Sequence, residues 1–281
     1  MHSCQLLIAY NLRRAAFTRP YVVVAPEYRL APEHPYPAAV VDSYAVMKWA
    51  LYSDHPALAA HAGQSGSRTI VVGGDSAGGN LAAVLALLSR DNLDPSMKPV
   101  HGDMAVSVAH QLLVYPALYP KEPTESARSL GEAAMFIPPK ARRFFVESYT
   151  KGSRGHGGGG GDVSRGDARG NEAEANNNND NTDSDADSDT RWRRSPLLAQ
   201  SHASLPSATF VHAGLDPLFS EGKAYAALLR ANGVRVAEHE ETAMPHGFFG
   251  FTTLNLKEMH RAINASITSI NAELARQADG G

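Results

Sequence analysis

Apolar residues along this chain follow two rhythms. Short runs rich in β-branched residues occur at residues 21–25 (YVVVA), 69–73 (TIVVG), 108–115 (VAHQLLVY), 208–213 (ATFVHA) and 234–240 (VRVAEHE). Their length and composition predict strands. Between them, residues 38–52, 79–89, 221–232 and 256–276 carry helix-forming patterns, the third closed by Gly233. Apolar strands separated by helices predict a mostly parallel sheet covered on both faces, an α/β architecture.

That rhythm stops at residue 152. From there to residue 190 the chain reads GSRGHGGGGGDVSRGDARGNEAEANNNNDNTDSDADSDT, with Val163 its only branched aliphatic. Such a tract cannot bury enough apolar surface to offset the entropy of ordering, so a disordered surface insertion is expected. The chain therefore divides into residues 1–150, an insertion at 151–190, and residues 191–281, with the two outer parts forming one domain. Asp183, Asp185, Asp187 and Asp189 alternate like the opening of a calcium loop. Ser188 stands where that loop needs glycine, however, and Arg194 where it needs glutamate.

Composition narrows the partners. Hydrophobic residues make up 43% of the 281, enough for a sizeable core, and the formal net charge is −3. Nucleic acids and anionic membranes call for a basic surplus, so neither is an expected partner. No apolar run approaches the roughly 18 residues of a membrane helix. Cys4 is the lone cysteine; it excludes an internal disulfide and fits a reducing, cytoplasmic setting. Arg13 and Arg14 follow the first apolar stretch, the reverse of a secretory signal, though the acid-free start also suits an organelle transit peptide. No histidine pair has metal-ligand spacing with a carboxylate, so neither metal nor cofactor is expected. His34, His55, His61, His101 and His212 read as surface or packing residues.

The chemistry concentrates at residues 74–79, Gly74-Asp75-Ser76-Ala77-Gly78-Gly79. This GxSxG pattern lies between a predicted strand and a predicted helix, the setting of a nucleophile elbow. Glycines two residues to either side of Ser76 are expected because side chains there would crowd the backbone. The helix that follows aims free N–H groups at developing negative charge. A serine nucleophile needs a base oriented by a third group, and on this architecture the chain order is Ser, acid, His. Asp216 follows the fourth predicted strand and His246 the fifth, where a parallel sheet presents its ligand-binding strand ends.

Three blocks carry a resemblance: residues 21–50 (YVVVAPEYRLAPEHPYPAAVVDSYAVMKWA), 71–83 (VVGGDSAGGNLAA) and 212–251 (HAGLDPLFSEGKAYAALLRANGVRVAEHEETAMPHGFFGF). Together they are similar to the hormone-sensitive-lipase-like group of α/β hydrolases. The resemblance implies an α/β-hydrolase fold and a carboxylic ester hydrolase acting on a small-molecule acyl ester. It makes Ser76 the nucleophile, Asp216 of the DPL motif the acid, His246 of the HGF motif the base, and Ala77 an oxyanion donor. It also implies that Arg29, Glu33 and Asp42 anchor loops through ion pairs, and that Trp49 packs in the core.

One family motif is out of place. The family carries HGGG ahead of the YRLAPEH block, and nothing before Tyr21 matches it. Residues 3–14 look like the helix that follows that loop. The chain is therefore expected to be N-terminally truncated, without the first strands and with impaired turnover. His156-Gly157-Gly158-Gly159 spells the motif inside the low-complexity tract, with no strand ahead of it. Two alternatives stand beside the esterase: a non-catalytic ligand-binding protein on the same fold, as in the gibberellin receptors, and an inactive fragment. A peptidase on the same fold is disfavoured, since no extra domain is visible. No oligomeric state follows from the sequence.

Overall fold

The computed structural model describes residues 17–18, 21–59, 68–96, 107–119, 123–150, 191–251 and 254–279. The low-complexity tract, Cys4, His61, His101, the aspartate series and the HGGG letters at 156–159 lie outside the described residues. In chain order the main elements are α1 (Ala38–Tyr52), β1 (Ile70–Asp75), α2 (Ala77–Arg90), β2 (Val108–Val114), α3 (Glu125–Leu130) and α4 (Pro139–Thr150). These are followed by β3 (Ser207–Leu215), α5 (Phe219–Ala231), β4 (Val236–Pro245) and α6 (Lys257–Asp279).

The four strands form one sheet in the order β1-β2-β3-β4, with every pairing parallel. Alternation within each strand decides which core a side chain joins. Leu113 and Phe210 point to one face, where α1, α2 and α5 supply Val40, Met47, Leu81, Leu87, Leu88, Tyr225 and Leu229. Leu112, Val114, Val211 and Ala213 point to the other, against Met259, Ala262, Ile263 and Ile267 of α6. Helix α2 is buried from Gly79 to Ser89. A helix apolar all round is what a position between the sheet and α1 demands. No helix among the described residues is long and apolar enough to cross a membrane.

His110 on β2 is held between Ser207 Oγ at 2.8 Å and Thr209 Oγ1 at 3.0 Å. Burial pushes its pKa down to about 4, so the ring is neutral near pH 7.

Three expectations change. Residues 21–25 are described without strand pairing. A cavity of about 680 Å³ lies between residues 22–26 and β1. Strand preference is largely the preference of side chains for a paired, pleated surface, and no strand among the described residues pairs with this run to supply one. Trp49 is 43% exposed rather than in the core. The inward face of α1 is set by Ala39, Val40, Ser43, Tyr44, Met47 and Ala50, and Trp49 falls outside that stripe, its ring 5.7 Å from that of His55. Helices α3 and α4 were not signalled by periodicity. In α4 only Ser148 is buried, while Phe144 and Phe145 are exposed, so this helix adds little to the core.

The ion-pair anchor is present in part. Asp42 accepts from Arg29 Nε at 2.9 Å and Nη2 at 2.8 Å, and from the Arg29 backbone N–H at 2.9 Å. Glu33 is exposed and takes no part in that pair.

These environments separate two large apolar residues. Leu87→Ala, at a fully buried position, is expected to cost about 2–5 kcal/mol. Trp49→Ala is expected to cost no more than about 1 kcal/mol. Urea unfolding midpoints of the two variants check this, and equal losses would contradict the core assignment.

Candidate active site

The site is assembled from three loops at the carboxyl ends of β1, β3 and β4. Strand β1 ends at Asp75, and α2 begins at Ala77. Ser76 between them turns the chain with φ 53° and ψ −116°. Few L-residues hold such a conformation, and it persists only where the surroundings over-determine it. Here they do. The Ser76 N–H donates to the Val114 carbonyl at 2.9 Å, and the Ser76 carbonyl accepts from Ala117 N–H at 3.0 Å and Asn80 N–H at 3.1 Å. Asn80 is buried and its amide donates to the Ala117 carbonyl at 2.8 Å and the Arg194 carbonyl at 2.9 Å.

The glycines around Ser76 are not equivalent. A Cβ on Gly74 would collide with the Gly78 backbone, and one on Gly79 would come within 2.9 Å of Pro116 Cβ. A Cβ on Gly78 would meet nothing within 4 Å. The expected crowding on both sides of the serine is therefore one-sided. Gly74 lets the turn close, and Gly79 lets α2 pack on residue 116. Gly78 itself faces open space.

Asp216 lies between β3 and α5 and is fully buried, with Oδ1 accepting the Leu218 N–H at 2.8 Å. His246 follows β4 and precedes Gly247, which takes φ 82° and turns the chain into a short helical segment, Phe248–Gly250. The structure brings these residues into one hydrogen-bonded chain. His246 Nδ1 is 2.7 Å from Asp216 Oδ2, and His246 Nε2 is 2.9 Å from Ser76 Oγ. An ionised carboxylate only accepts, so Nδ1 carries the proton and Nε2 offers its lone pair to the serine hydroxyl. Ser76 is half-buried and Ala77 exposed.

One neighbour was not anticipated. Tyr115, at the end of β2, places its ring 4.7 Å from that of His246 and 5.9 Å from that of Phe248. It walls the imidazole on the side toward the sheet. Its position at a strand's carboxyl end was the available signal, but nothing local distinguishes it from a core tyrosine.

The remaining histidines play other parts. His212 Nε2 lies 2.8 Å from Glu238 Oε2, with its ring stacked on Phe210 at 5.5 Å. Burial pushes its pKa down to about 4. Lys223 at 2.7 Å and Arg230 also hold Glu238, completing a structural cluster. His34 is exposed, and His55 sits beside Trp49. Among the described residues no group of three or more His, Cys, Asp or Glu could hold a metal ion.

Comparison with known proteins gives a consistent neighbourhood. A family profile described as alpha/beta hydrolase fold matches residues 9–157 and 177–250. The carboxylic ester hydrolase LipN of Mycobacterium tuberculosis is 33% identical over 256 residues, covering 90% of this chain and 55% of that protein. The esterase LipI of the same organism is 32% identical over 232 residues, covering 82% of this chain and 56% of its own length. The chain thus spans about half the length of the curated relatives it matches. Among solved structures, an esterase from Pyrobaculum calidifontis superposes with a TM-score of 0.62 at 28% identity, over 87% of this chain and 64% of that one. The thermostable carboxylesterase EstE1, cloned from a metagenomic library, gives 0.61 at 30% identity, over 88% and 67%.

The unequal glycines yield a direct test. Gly74→Ala is expected to lower stability by about 1–3 kcal/mol or more through overpacking, whereas Gly78→Ala stays within about 0.5 kcal/mol of the parent. Thermal melts of the two variants decide it. Equal destabilisation would mean the turn is packed differently.

Proposed function

The chain belongs to the hormone-sensitive-lipase-like family of α/β hydrolases, and from that premise we propose that it is a serine hydrolase of small-molecule carboxylic esters. One observation carries the proposal: the unbroken hydrogen-bonded path from Ser76 Oγ through the His246 imidazole to buried Asp216, set at a strained strand-to-helix turn. Hydrogen-bond reach between nucleophile, base and orienting acid is the geometric signature of an activated serine.

In this reading Ser76 Oγ attacks the ester carbonyl carbon as its proton passes to His246 Nε2. The carbonyl oxygen becomes an oxyanion facing the N–H of Ala77, at the first turn of α2, where helix-end amides favour negative charge. Collapse of the tetrahedral intermediate breaks the C–O bond, and the departing alcohol takes the proton from Nε2. Water, deprotonated by His246, then attacks the acyl-enzyme, and the released acid leaves Ser76 protonated again. Asp216 stays ionised throughout, holding Nδ1–H and stabilising the imidazolium. One oxyanion donor contributes on the order of 10²–10³ in turnover, so Ala77 is assigned a share of that size. No oligomeric assembly or nucleic-acid partner enters this proposal. A single cysteine in the sequence supports a reducing compartment, and we place the protein in the cytoplasm on that ground.

Hydrolysis of p-nitrophenyl butyrate and labelling of Ser76 by a fluorophosphonate probe test the proposal together. Ser76→Ala should abolish both. Asp216→Asn is expected to lower turnover by about 10⁴ while leaving the fold intact, because Nδ1 loses its acceptor. If labelling persists in Ser76→Ala, the nucleophile is elsewhere. If the parent chain binds esters yet neither labels nor hydrolyses, the ligand-binding alternative takes its place.

A further inference from the structure

Helix α5 starts three residues after Asp216 and carries Glu221 in its first turn. The Glu221 side chain is completely buried. Its Oε1 accepts the Leu118 N–H at 2.7 Å, and its Oε2 accepts from Arg142 Nη2 of α4 at 3.1 Å. The neighbouring Ala117 N–H donates to the Ser76 carbonyl at 3.0 Å, and two residues earlier the Tyr115 N–H donates to the Val211 carbonyl of β3 at 2.7 Å. Residues 115–118 thus form a strut. Tyr115 at one end is bonded to β3, and at the other end the adjacent residues 117 and 118 are bonded to the serine turn and, through Glu221, to the helix that follows Asp216.

We infer that Glu221 is a positioning residue that holds this strut, and through it the Ser76 turn, at a set distance from the Asp216 loop. The inference rests on the serine-hydrolase reading for its consequence in catalysis, but the strut itself does not. An acidic side chain suits the place because a carboxylate has two acceptor oxygens, one for a backbone amide and one for a guanidinium. Replacing it with a side chain that cannot accept leaves the Leu118 N–H and the Arg142 guanidinium without that acceptor in a buried setting. The freed Leu118 N–H would then draw residues 117–118 toward other partners.

The electrostatics agree with a side chain held for geometry at some cost. Burial pushes the Glu221 pKa up to about 7, opposed by the Leu118 amide and Arg142 and reinforced by the nearby Asp216 charge. The titratable and charged groups that face it are Arg142 from α4, Asp216 from the loop before α5 and Tyr119 just past the strut, whose hydroxyl burial raises to about 12. A carboxyl raised in the native state favours folding below its unfolded pKa near 4.5, and that contribution fades as pH rises to about 7. Glu221→Gln, which has no proton to exchange there, should flatten this part of the pH–stability profile.

The test compares Glu221→Ala with Glu221→Gln, which keeps the amide acceptor. For fluorophosphonate labelling of Ser76 in the full chain, Glu221→Ala is expected to lower kinact about tenfold at unchanged KI. Glu221→Gln should stay within about threefold of the parent. Hydrogen exchange at residues 115–119 should quicken in Glu221→Ala alone. A folded Glu221→Ala with parental kinact and parental exchange overturns the inference, as does a Glu221→Gln no better than alanine. Should Glu221→Ala fail to fold, Glu221→Asp replaces it, since it keeps the charge but falls short of Leu118; parental kinact in that variant would overturn the inference equally. Should the parent itself not label, the hydrolase reading falls, and exchange at residues 115–119 still decides the strut.

Discussion

The backbone of Ser76 sits in a conformation that costs an L-residue about 1–3 kcal/mol, and it stays there because both of its polar groups are committed. Its N–H is tied to Val114 on the neighbouring strand, and its carbonyl is shared by Ala117 and Asn80. Relaxing the turn would break those bonds in a place where water does not readily replace them. It would also drive Gly74 away from Gly78, whose backbone lies closer than any Cβ on Gly74 would permit. The hydroxyl's direction above the sheet is therefore a property of the packing beneath it. Helix α2, buried along most of its length, supplies the weight that keeps the turn shut.

The rest of the arrangement follows from strand direction. Because every pairing in the sheet is parallel, the loops after β1, β3 and β4 emerge at the same edge, as do ligand sites in such sheets generally. Strand β2 lies between β1 and β3, and its own end contributes Tyr115 against the imidazole and residues 117–118 against the turn. The Asp216 carboxylate is protected in a different way. Asp216 has no exposure, and its two oxygens are divided between the Leu218 amide and the His246 ring. Division of the carboxylate between two donors fixes its plane, and so fixes the ring it holds.

Much of this was legible in local patterns. The helix at residues 38–52 and the strands near 70, 108, 207 and 236 follow from periodicity, because burial on one face or both leaves a period in the sequence itself. Ends were less legible: α2 starts at Ala77 rather than at residue 79, and β4 runs on to Pro245. Strand pairing was not legible at residues 21–25. The β-branched run is as strand-like as any in the chain, yet pairing depends on what lies beside it. Trp49 fails for a related reason, since a one-dimensional pattern shows that a helix has an inner face without weighting each residue at its margin.

Local decisions are written directly in the chain: the sheet-and-helix alternation, the glycine-bounded serine between a strand and a helix, and an aspartate and then a histidine after later strands. Each is encoded within a few residues, through φ/ψ preference and hydrophobic period. Tertiary structure decided the distances. Ser76 and His246 are 170 residues apart in the chain, and Leu118 and Glu221 are 103 apart. Whether such pairs meet at 2.9 Å or 2.7 Å depends on sheet order and helix packing summed over the whole core. The same sum makes Gly78 open where Gly74 is crowded, and turns Glu221 from one more charged residue at a helix start into a buried acceptor. No short window of sequence carries that information, because burial is a property of everything that surrounds a side chain.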